Sequence, residues 1–385
     1  MKIALCLEYP IGQFGGTEVL VQELIRGLAP RHELVLVSDD TTADIERAPW
    51  KKFLAAHLHW NPATMTRAQS QKLADDLAEA RLDLAHFHFG GNYGWGNRAF
   101  DLCPIVPLAR RGVPCLSTNH GAFSIAEGYC GAQRSAAFKA ALFLPAWLSK
   151  QYVLSHLRCE IAVSMNDFHA LRRWYPPMRG KFRQIYHSRL HEPAPFPETA
   201  RTKHIICIGT IGPRKGQTYL TEAFCQIATR CPEWKLVLIG REGDPAMMER
   251  IHSLRREHQL EERILLLGKQ SDAEVNRWLR TAAIFAMPSV AEGLGLSLQE
   301  ALFHGCACVT ARAGGTQDLI QNGDNGLSVA PANASALAGA LEQLMGDQAL
   351  RQRFAARGPA SILEKGMTAE IMVKKYEDLY AEILK

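Results

Sequence analysis

Short apolar runs alternate with longer amphipathic stretches along almost the whole chain, and this alternation constrains the fold more than any other feature. In the first half the apolar runs are KIALCLE, ELVLVS, LDLAHFHF, VPCLST and CEIAVS. Amphipathic helices are predicted over 17–29 and 66–80. Continuous apolar strands separated by helices are typical of a parallel sheet that is covered on both faces. The first half is therefore predicted to be an α/β domain with a doubly wound, Rossmann-like sheet.

The same alternation restarts in the second half, in HIICIG, KLVLIG, RILLLG, AIFAMPS, CACVTA and GLSVA. A proline-rich stretch, HSRLHEPAPFPETARTK, separates the halves and is predicted to be a linker. With 385 residues, the chain can form two domains that each bury a core. We predict Rossmann-like domains over 1–192 and 193–365, and a helix over 366–385 for which packing back on the first domain is one arrangement. Helices of the second half are predicted at about 216–230, 245–258, 272–282 and 334–346.

The composition favours a protein of the reducing cytoplasm. The first residues, MKIALCLEY, are typical of a buried strand rather than of a secretory signal. Ten cysteines are scattered without a C-x-x-C pair, and Cys6, Cys207 and Cys308 fall in predicted strands, where thiols act as small apolar side chains. The most apolar region, 136–154, is interrupted by lysines and a proline, so it is not predicted to span a bilayer. The net charge of +5 by itself indicates neither nucleic-acid nor membrane binding.

The first loop that follows an apolar run is rich in glycine. In EYPIGQFGGTEVLVQEL, Gly15 and Gly16 directly precede an amphipathic helix. Ligands of open α/β sheets bind beyond the carboxyl ends of the strands, and amides at a helix start suit an anion. The spacing is not the G-x-G-x-x-G of a dinucleotide site, although Asp39 and Asp40 after the second strand keep a dehydrogenase interpretation open. A glycine turn that merely reverses the chain explains this loop equally well.

The corresponding loop of the second half, IGTIGPRKGQTYL, carries two adjacent cations. Arg214 and Lys215 stand just ahead of a predicted helix. A guanidinium that forks two oxygens and an ammonium that acts as a point charge would together bind a diphosphate. Taken in isolation, the pair is more typical of a solvated basic turn.

A third loop carries two glutamates, within PSVAEGLGLSLQEAL. Its proline and glycines place Glu292 in a loop, whereas Glu300 belongs to a helix that is predicted to begin near Ser297. Carboxylates that face a common point from a loop and a helix start suit a ligand site. The alternative is structural, because Ser297 and Glu300 fit an S-x-x-E capping box.

Together these loops resemble the GT-B glycosyltransferases, in particular the large retaining, family 4-like group that uses nucleotide-sugar donors and is marked by E-x7-E. The matching segments are GGTEVLVQEL, STNHGAF, GTIGPRKG, LVLIG, PSVAEGLGLSLQEAL and ARAGGTQDLIQNGDNGL. The second half matches almost throughout, and the first half in outline. The sequence departs from the pattern at IYHSRLH, where relatives usually have Asn-Gly, and at Asp318, where a glutamate is commoner. The resemblance implies two Rossmann-like domains facing a cleft, with the acceptor on the first and the donor on the second.

The resemblance also implies a role for each motif residue. Arg214 and Lys215 would neutralise the donor diphosphate as it leaves. Glu300 would hold the ribose hydroxyls, and Glu292 would contact the transferred sugar. The catalytic set implied is His120, Glu292, Arg214 and Lys215. The donor-binding set implied is Gly15, Gly16, Arg214, Lys215, Glu292, Gly293, Leu294, Gly295, Leu296 and Glu300.

The reaction implied is transfer of a sugar from a nucleotide-diphosphate donor to an acceptor hydroxyl, in bacterial-type glycan, lipopolysaccharide or glycolipid synthesis. A nucleoside diphosphate is a competent leaving group, so the main task is to stabilise its growing charge beside an oxocarbenium-like sugar. In this family a leaving phosphate oxygen is thought to take the acceptor proton on the same face. That route would retain the anomeric configuration.

Histidines near the predicted site have structural explanations as well. His120, after the fourth predicted strand, corresponds to the active-site histidine of the family, whereas a lone histidine there is more often hydrogen-bonded to backbone. The HFHF run invites a metal interpretation, because His86 and His88 project to one face of a strand. No carboxylate or cysteine is spaced to complete that set. The resemblance implies transfer without a metal or other cofactor.

The partners expected are a UDP- or GDP-sugar and a glycan or lipid-linked acceptor, with no nucleic acid. Residues 134–158 combine apolar bulk with Arg134, Lys139, Lys150 and Arg158. Such a surface would suit the inner face of an anionic membrane. An ordinary core-facing helix with solvated charges is the alternative.

Three other functions fit parts of the sequence. A sugar-nucleotide epimerase can share the two-domain fold. A glycosidase using the two carboxylates would leave the phosphate-suited loops without a purpose. A non-catalytic protein would bind a nucleotide sugar without turning it over.

Overall fold

A computed structural model describes residues 1–12, 15–91, 93–94, 96–121, 135–191 and 201–385. The chain forms two compact units, Met1–His191 with Thr368–Lys385, and Glu192–Met367. Each unit holds one parallel sheet with helices, so the predicted α/β class with two Rossmann-like domains is confirmed. The linker prolines lie outside the described residues.

The sheet of the first unit has seven strands. They are β1 Lys2–Leu7, β2 Glu33–Ser38, β3 Ala56–His59, β4 Leu84–Phe89, β5 Cys115–Asn119, β6 Cys159–Ala162 and β7 Phe182–Gln184. Their order is β3-β2-β1-β4-β5-β6-β7, and every pairing is parallel. All residues of β4 and β5 are buried, as expected for central strands covered on both faces.

The described helices of this part of the chain connect the strands. They are α1 Gly16–Leu28, α2 Thr42–Arg47, α3 Arg67–Glu79, α4 Ile105–Arg110, α5 Ala136–His156 and α6 Met165–Trp174. Short 3-10 helices cover Lys51–Phe53, Pro62–Thr64, Gly96–Arg98, Phe100–Leu102 and Pro176–Lys181. Both predicted helices are confirmed to within one residue at each end.

The sheet of the second unit has six strands. They are β8 Thr202–Ile208, β9 Lys235–Ile239, β10 Ile264–Leu266, β11 Ala282–Met287, β12 Ala307–Ala311 and β13 Gly326–Val329. Their order is β10-β9-β8-β11-β12-β13, again all parallel. The strands run in chain order from β8 to β10 on one side and from β11 to β13 on the other, so the strand order reverses between β8 and β11. The loop with Arg214 and Lys215 follows β8, and the loop with Glu292 follows β11.

Helices of the second unit surround this sheet. They are α7 Gln217–Ile227, α8 Pro245–Glu257, α9 Asp272–Thr281, α10 Leu296–Phe303, α11 Thr316–Leu319, α12 Ala334–Gly346 and α13 Gln348–Glu364, with a 3-10 turn at Ala228–Arg230. Buried side chains of α7, α8 and α12 form one core with alternate residues of β8, β9 and β11. Cys207 and Cys308 are buried in β8 and β12 as small apolar residues, as predicted.

The last helix, α14 Ala369–Ile383, belongs to the first unit. It packs closely on α1, because a Cβ added at Gly27 would lie 2.4 Å from a methyl group of Val373. Arg31, which follows α1 in the chain, forms an ion pair at 2.7 Å with Glu377 of α14. The chain therefore returns to its first unit after completing the second.

An ion pair is buried inside the first unit. Lys150 on α5 lies 2.7 Å from Glu160 on β6, and both side chains are inaccessible to solvent. The Tyr93 hydroxyl donates to Glu160, and the Lys150 ammonium lies over the Tyr93 ring. Burial lowers the pKa of Lys150 to about 8 although Glu160 opposes the shift, so the ammonium is charged at neutral pH. The expectation that Lys150 adds charge to a membrane-facing surface is therefore wrong.

Candidate functional site

Two loops lie side by side at the carboxyl edge of the second sheet. One follows β8 and spans 209–216, and the other follows β11 and spans 288–295. The strand order reverses between these neighbours, which is where open α/β sheets bind ligands. The amide of Val290 donates to the carbonyl of Arg214 at 2.9 Å, so the loops are joined directly.

Lys215 and Glu292 form an ion pair across these loops. Lys215 Nζ lies 2.5 Å from Glu292 Oε1, and the Ser289 hydroxyl donates to the same oxygen at 2.8 Å. The Glu292 side chain is 7% exposed and that of Lys215 is 24% exposed. Burial alone would raise the pKa of Glu292, but Lys215 and Arg214 outweigh it and hold that pKa below its ordinary value. Glu292 is therefore a carboxylate held by a fixed cation.

Backbone contacts fix the basic loop. Gly216 has a φ of +68°, and a Cβ there would lie 2.3 Å from the carbonyl oxygen of Pro288. Only glycine permits that approach without moving one of the loops. Arg214, two residues earlier, is exposed, so the loop presents an accessible guanidinium beside the half-buried ammonium of Lys215.

The glutamate loop is fixed from its other side by the glycines that follow β12. A Cβ on Gly314, whose φ is +56°, would lie 1.9 Å from the carbonyl oxygen of Glu292. A Cβ on Gly315 would lie 2.1 Å from the carbonyl oxygen of Gly293. The Gly315 amide also donates to the Glu292 carbonyl at 3.3 Å. The AGG sequence is therefore required by close backbone packing around Glu292.

Helix α10 begins at Leu296, with Gly295 as its N-cap and no side-chain cap. Ser297 is the second helical residue, and its hydroxyl donates to the carbonyl of Ile208 at the end of β8. The capping-box alternative does not hold, because a capping serine must stand before the first helical residue. Glu300 is buried on α10, so the prediction of one glutamate on a loop and one on a helix is confirmed.

The glycine-rich loop of the first unit also leads into a helix start. Gly15 is the N-cap of α1 and Gly16 is its first residue. A Cβ on Gly15 would lie 2.2 Å from the carboxylate of Glu18, so this carboxylate lies against the start of α1. The amide of Ile11 donates to Asp40 at 2.7 Å, which means that Asp40 anchors the loop.

A buried carboxylate at the end of β1 had no signal in the sequence. Glu8 accepts a hydrogen bond from the Gly90 amide at 3.1 Å and forms an ion pair with Arg98. Burial raises its pKa although Arg98 opposes the shift. Only its position at the carboxyl end of a central strand could have singled it out.

Four histidines form a cluster at the carboxyl ends of β4 and β5. The cluster contains His86, His88, His120 and His187, with Thr118, Tyr376 and Tyr380. His86 bonds Tyr380 at 2.7 Å through Nδ1 and Thr118 at 2.8 Å through Nε2. The Tyr376 hydroxyl lies 2.6 Å from His187 Nε2. Because the tyrosines belong to α14, the network ties this helix to the central strands.

Burial lowers the pKa of all four imidazoles well below the ordinary histidine range, that of His187 to about 3. The rings are therefore neutral at physiological pH. Within the described residues, no group of three or more histidines, cysteines or carboxylates is arranged to hold a metal ion. Both nitrogens of His86 already have hydrogen-bond partners, which argues against the metal interpretation of HFHF.

Helix α5 carries the most apolar part of the chain. Phe143, Leu144 and Leu148 are exposed on it, and Arg158 is exposed just after its end. Among the helices of the described ranges, none combines the length and hydropathy needed to cross a bilayer. Arg134 and the side chain of Lys139 lie outside what the structure describes.

Two family models match the chain. Residues 14–188 match the family described as Glycosyltransferase Family 4, and residues 190–361 match the one described as Glycosyl transferases group 1. Together these two segments contain every predicted site residue.

Curated relatives share sequence over part of the chain. The N-acetyl-alpha-D-glucosaminyl L-malate synthase of Bacillus anthracis is 31% identical over 166 residues, 43% of this chain and 42% of the relative. The lipopolysaccharide core biosynthesis mannosyltransferase LpcC of Rhizobium leguminosarum bv. viciae is 30% identical over 151 residues, 38% of this chain and 42% of the relative. The matched segment thus spans less than half the length of these relatives.

Solved structures are similar over nearly the whole chain. Sucrose-phosphate synthase from Thermosynechococcus elongatus has a TM-score of 0.78 at 21% identity, over 99% of this chain and 98% of the other. Anabaena Alr3699/HepE, in complex with UDP and glucose, has a TM-score of 0.74 at 16% identity, over 99% and 100%. At such identities the likeness establishes a shared fold.

The contact between Gly314 and Glu292 yields a stability prediction. Gly314→Ala should lower the melting temperature more than Gly323→Ala does. Both positions have positive φ, at +56° and +83°, but nothing lies within 4 Å of a Cβ at Gly323. Backbone strain alone costs roughly 1–2 kcal/mol, and only Gly314→Ala must also displace the Glu292 loop. Calorimetry of both variants measures the difference in melting temperature. Equal melting temperatures would show that the Glu292 loop moves without a cost in stability.

Proposed function

This chain combines a Glycosyltransferase Family 4 domain with a domain of the glycosyl transferases group 1, and we propose that it transfers a sugar from a nucleoside-diphosphate donor to an acceptor hydroxyl with retention. The observation that carries the proposal is the pairing of Lys215 with Glu292, next to the exposed Arg214, at the strand-order reversal. Two cations on loops that are already fixed suit a diphosphate whose charge grows during the reaction.

The motif residues of the second unit have separate roles in this proposal. Arg214 forks two diphosphate oxygens from the open side, and Lys215 approaches as a point charge. The first-turn amides of α10 add donors, because no side chain caps that helix. Glu292 contacts the transferred sugar while staying ionised, and Glu300 accepts from the ribose hydroxyls. These cations and amides take the place that a metal ion would occupy, so no metal is required.

The acceptor is assigned to the first unit, with His120 directed to the donor sugar and Gly15 and Gly16 at the phosphate. Relatives that act in lipopolysaccharide core synthesis support a glycan or glycolipid acceptor. HepE was solved with UDP-glucose, which makes UDP-sugars the first donors to test. A thermal-shift screen of UDP, GDP, ADP and CMP sugars identifies the donor, because binding stabilises the fold by mass action. Product analysis by NMR then gives the anomeric configuration.

Product analysis with and without an acceptor separates transfer from the alternatives. An epimerase would change the sugar nucleotide without any acceptor, and a non-catalytic protein would bind it without turnover. Inversion of the anomeric centre in the product would contradict the retaining mechanism proposed here.

The basic pair generates the first prediction on activity. Arg214→Ala and Lys215→Ala should each lower kcat/KM roughly 100-fold or more, in the range for removing one electrostatic contact to a developing charge. Arg277→Ala is the matched control, because Arg277 is an exposed arginine of α9 that pairs with Glu274. Activity should persist in excess EDTA. Wild-type turnover in the double variant, or loss in EDTA that Mg²⁺ or Mn²⁺ restores, would contradict the assignment.

The second glutamate generates a prediction on donor affinity. Glu300→Gln should weaken donor binding by roughly 1.5–3 kcal/mol, because an amide offers one acceptor where the carboxylate offers two. The melting temperature of the free protein should change little, because glutamine keeps the size and shape of the glutamate side chain. Glu262→Gln, at an exposed position of the same unit, is the control for loss of one charge. Calorimetric titration with the donor measures both, and equal affinities would make Glu300 structural.

We further propose that the exposed apolar residues of α5 contact the surface of an anionic membrane. The double variant Leu144→Ser/Leu148→Ser should sediment with phosphatidylglycerol vesicles at least roughly ten-fold less, because burying each leucine contributes about 1.5–3 kcal/mol. Leu363→Ser is the matched control, since Leu363 is an exposed leucine of the second unit. Equal sedimentation of wild type and the double variant would exclude this surface.

A further inference from the structure

One imidazole pair of the histidine cluster, His88 and His120, is joined by its own hydrogen bond. His88 Nδ1 lies 3.1 Å from His120 Nε2, within hydrogen-bond distance. His88 is fully buried on β4, whereas His120 follows β5 and is half-buried. His120 is thus the accessible member of the pair, and His88 lies behind it.

The direction of this hydrogen bond follows from counting protons. Both rings are neutral, so each carries one N–H and one bare nitrogen. The second nitrogen of His88, Nε2, is buried and has no hydrogen-bond partner in the part of the chain that the structure describes. If His120 were the donor, His88 would have to carry its proton on Nε2, where nothing accepts it. An orphaned N–H in a protein interior is rarer than an unused lone pair.

His86 cannot accept a hydrogen bond from His88 Nε2. Its ring centroid is 4.1 Å from that of His88, so the two rings are in contact. Both nitrogens of His86 are already bonded, to Tyr380 and to Thr118. The arrangement that leaves no buried N–H unpaired therefore has His88 donating from Nδ1 to His120 Nε2.

We propose that His88 is a positioning residue that fixes His120 as its Nδ1–H tautomer, so that His120 presents a hydrogen-bond donor to an oxygen of the bound sugar. The tautomer of an imidazole is set by the hydrogen bond that its other nitrogen makes. This inference rests on the proposed function, in which His120 faces the donor sugar. It adds that His120 holds the sugar as a donor and does not remove the acceptor proton through Nδ1. The proton is then left to the departing phosphate oxygen.

The tautomer can be observed directly in full-length protein labelled with ¹⁵N-histidine. Two-dimensional spectra distinguish protonated from bare ring nitrogens, and His120→Gln identifies the signals of His120. Wild type should show a protonated Nδ1 and a bare Nε2. His88→Asn should preserve this pattern, because the asparagine amide places a donor where Nδ1 was. His88→Leu should give a mixture of tautomers.

Two spectroscopic results would overturn the inference. One is a protonated Nε2 on His120 in wild type. The other is an unchanged His120 tautomer in a folded His88→Leu protein. The wild-type spectrum decides the first point even if His88→Leu fails to fold.

Kinetics with the identified donor provide a second readout. His88→Leu should lower kcat/KM roughly ten-fold, the effect of one ordinary hydrogen bond, and His88→Asn should recover most of it. Equal activity of His88→Leu and wild type would contradict the positioning role. If the wild-type protein turns over no nucleotide sugar, the proposed function fails, while the spectra still decide whether His88 fixes the tautomer of His120.

Discussion

A parallel sheet places the carboxyl ends of all its strands at one edge, and both candidate sites depend on this constraint. Lys215 and Glu292 are 77 positions apart in sequence, yet their charged atoms are 2.5 Å apart, because their loops leave the neighbouring strands β8 and β11. His88 and His120 are 32 positions apart and meet because β4 and β5 are neighbours. Neither pair is a local motif. The sequence supplies residue types at strand ends, and the strand order decides which of them meet.

Burial has opposite consequences for Glu292 in the second unit and for the histidine cluster in the first. In the second, Glu292 is almost fully buried but remains ionised, because Lys215 and Arg214 compensate for its lost hydration. In the first, burial keeps the four clustered imidazoles neutral. A neutral imidazole provides a directional donor or acceptor without attracting anions. The second unit is thus suited to a charged diphosphate, and the histidines of the first to hydroxyl groups.

Periodicity in the sequence predicted most of the fold, and its failures have physical causes. The strands that it missed, β3 and β7, lie at the two edges of the first sheet. Edge strands bury less surface, so these two are short and lack a continuous apolar run. The capping box at Ser297 failed because Gly295 starts α10 earlier than the serine would. Lys150 was expected at the surface because composition does not reveal a partner such as Glu160 that only tertiary packing supplies.

The pairing of Lys215 with Glu292 in the free protein also explains how adjacent cations are kept in place before a ligand arrives. Without the carboxylate, the adjacent charges of Arg214 and Lys215 would repel each other. Glycine contacts at Gly216 and Gly314 hold the backbones of both loops, so binding need not order them. An incoming anion must then share Lys215 with Glu292 or displace that carboxylate. A singly charged anion gains little from such an exchange, whereas a diphosphate can engage Lys215, Arg214 and the amides of α10 together. In the proposed function, the competition that Glu292 provides would favour a diphosphate over simpler anions.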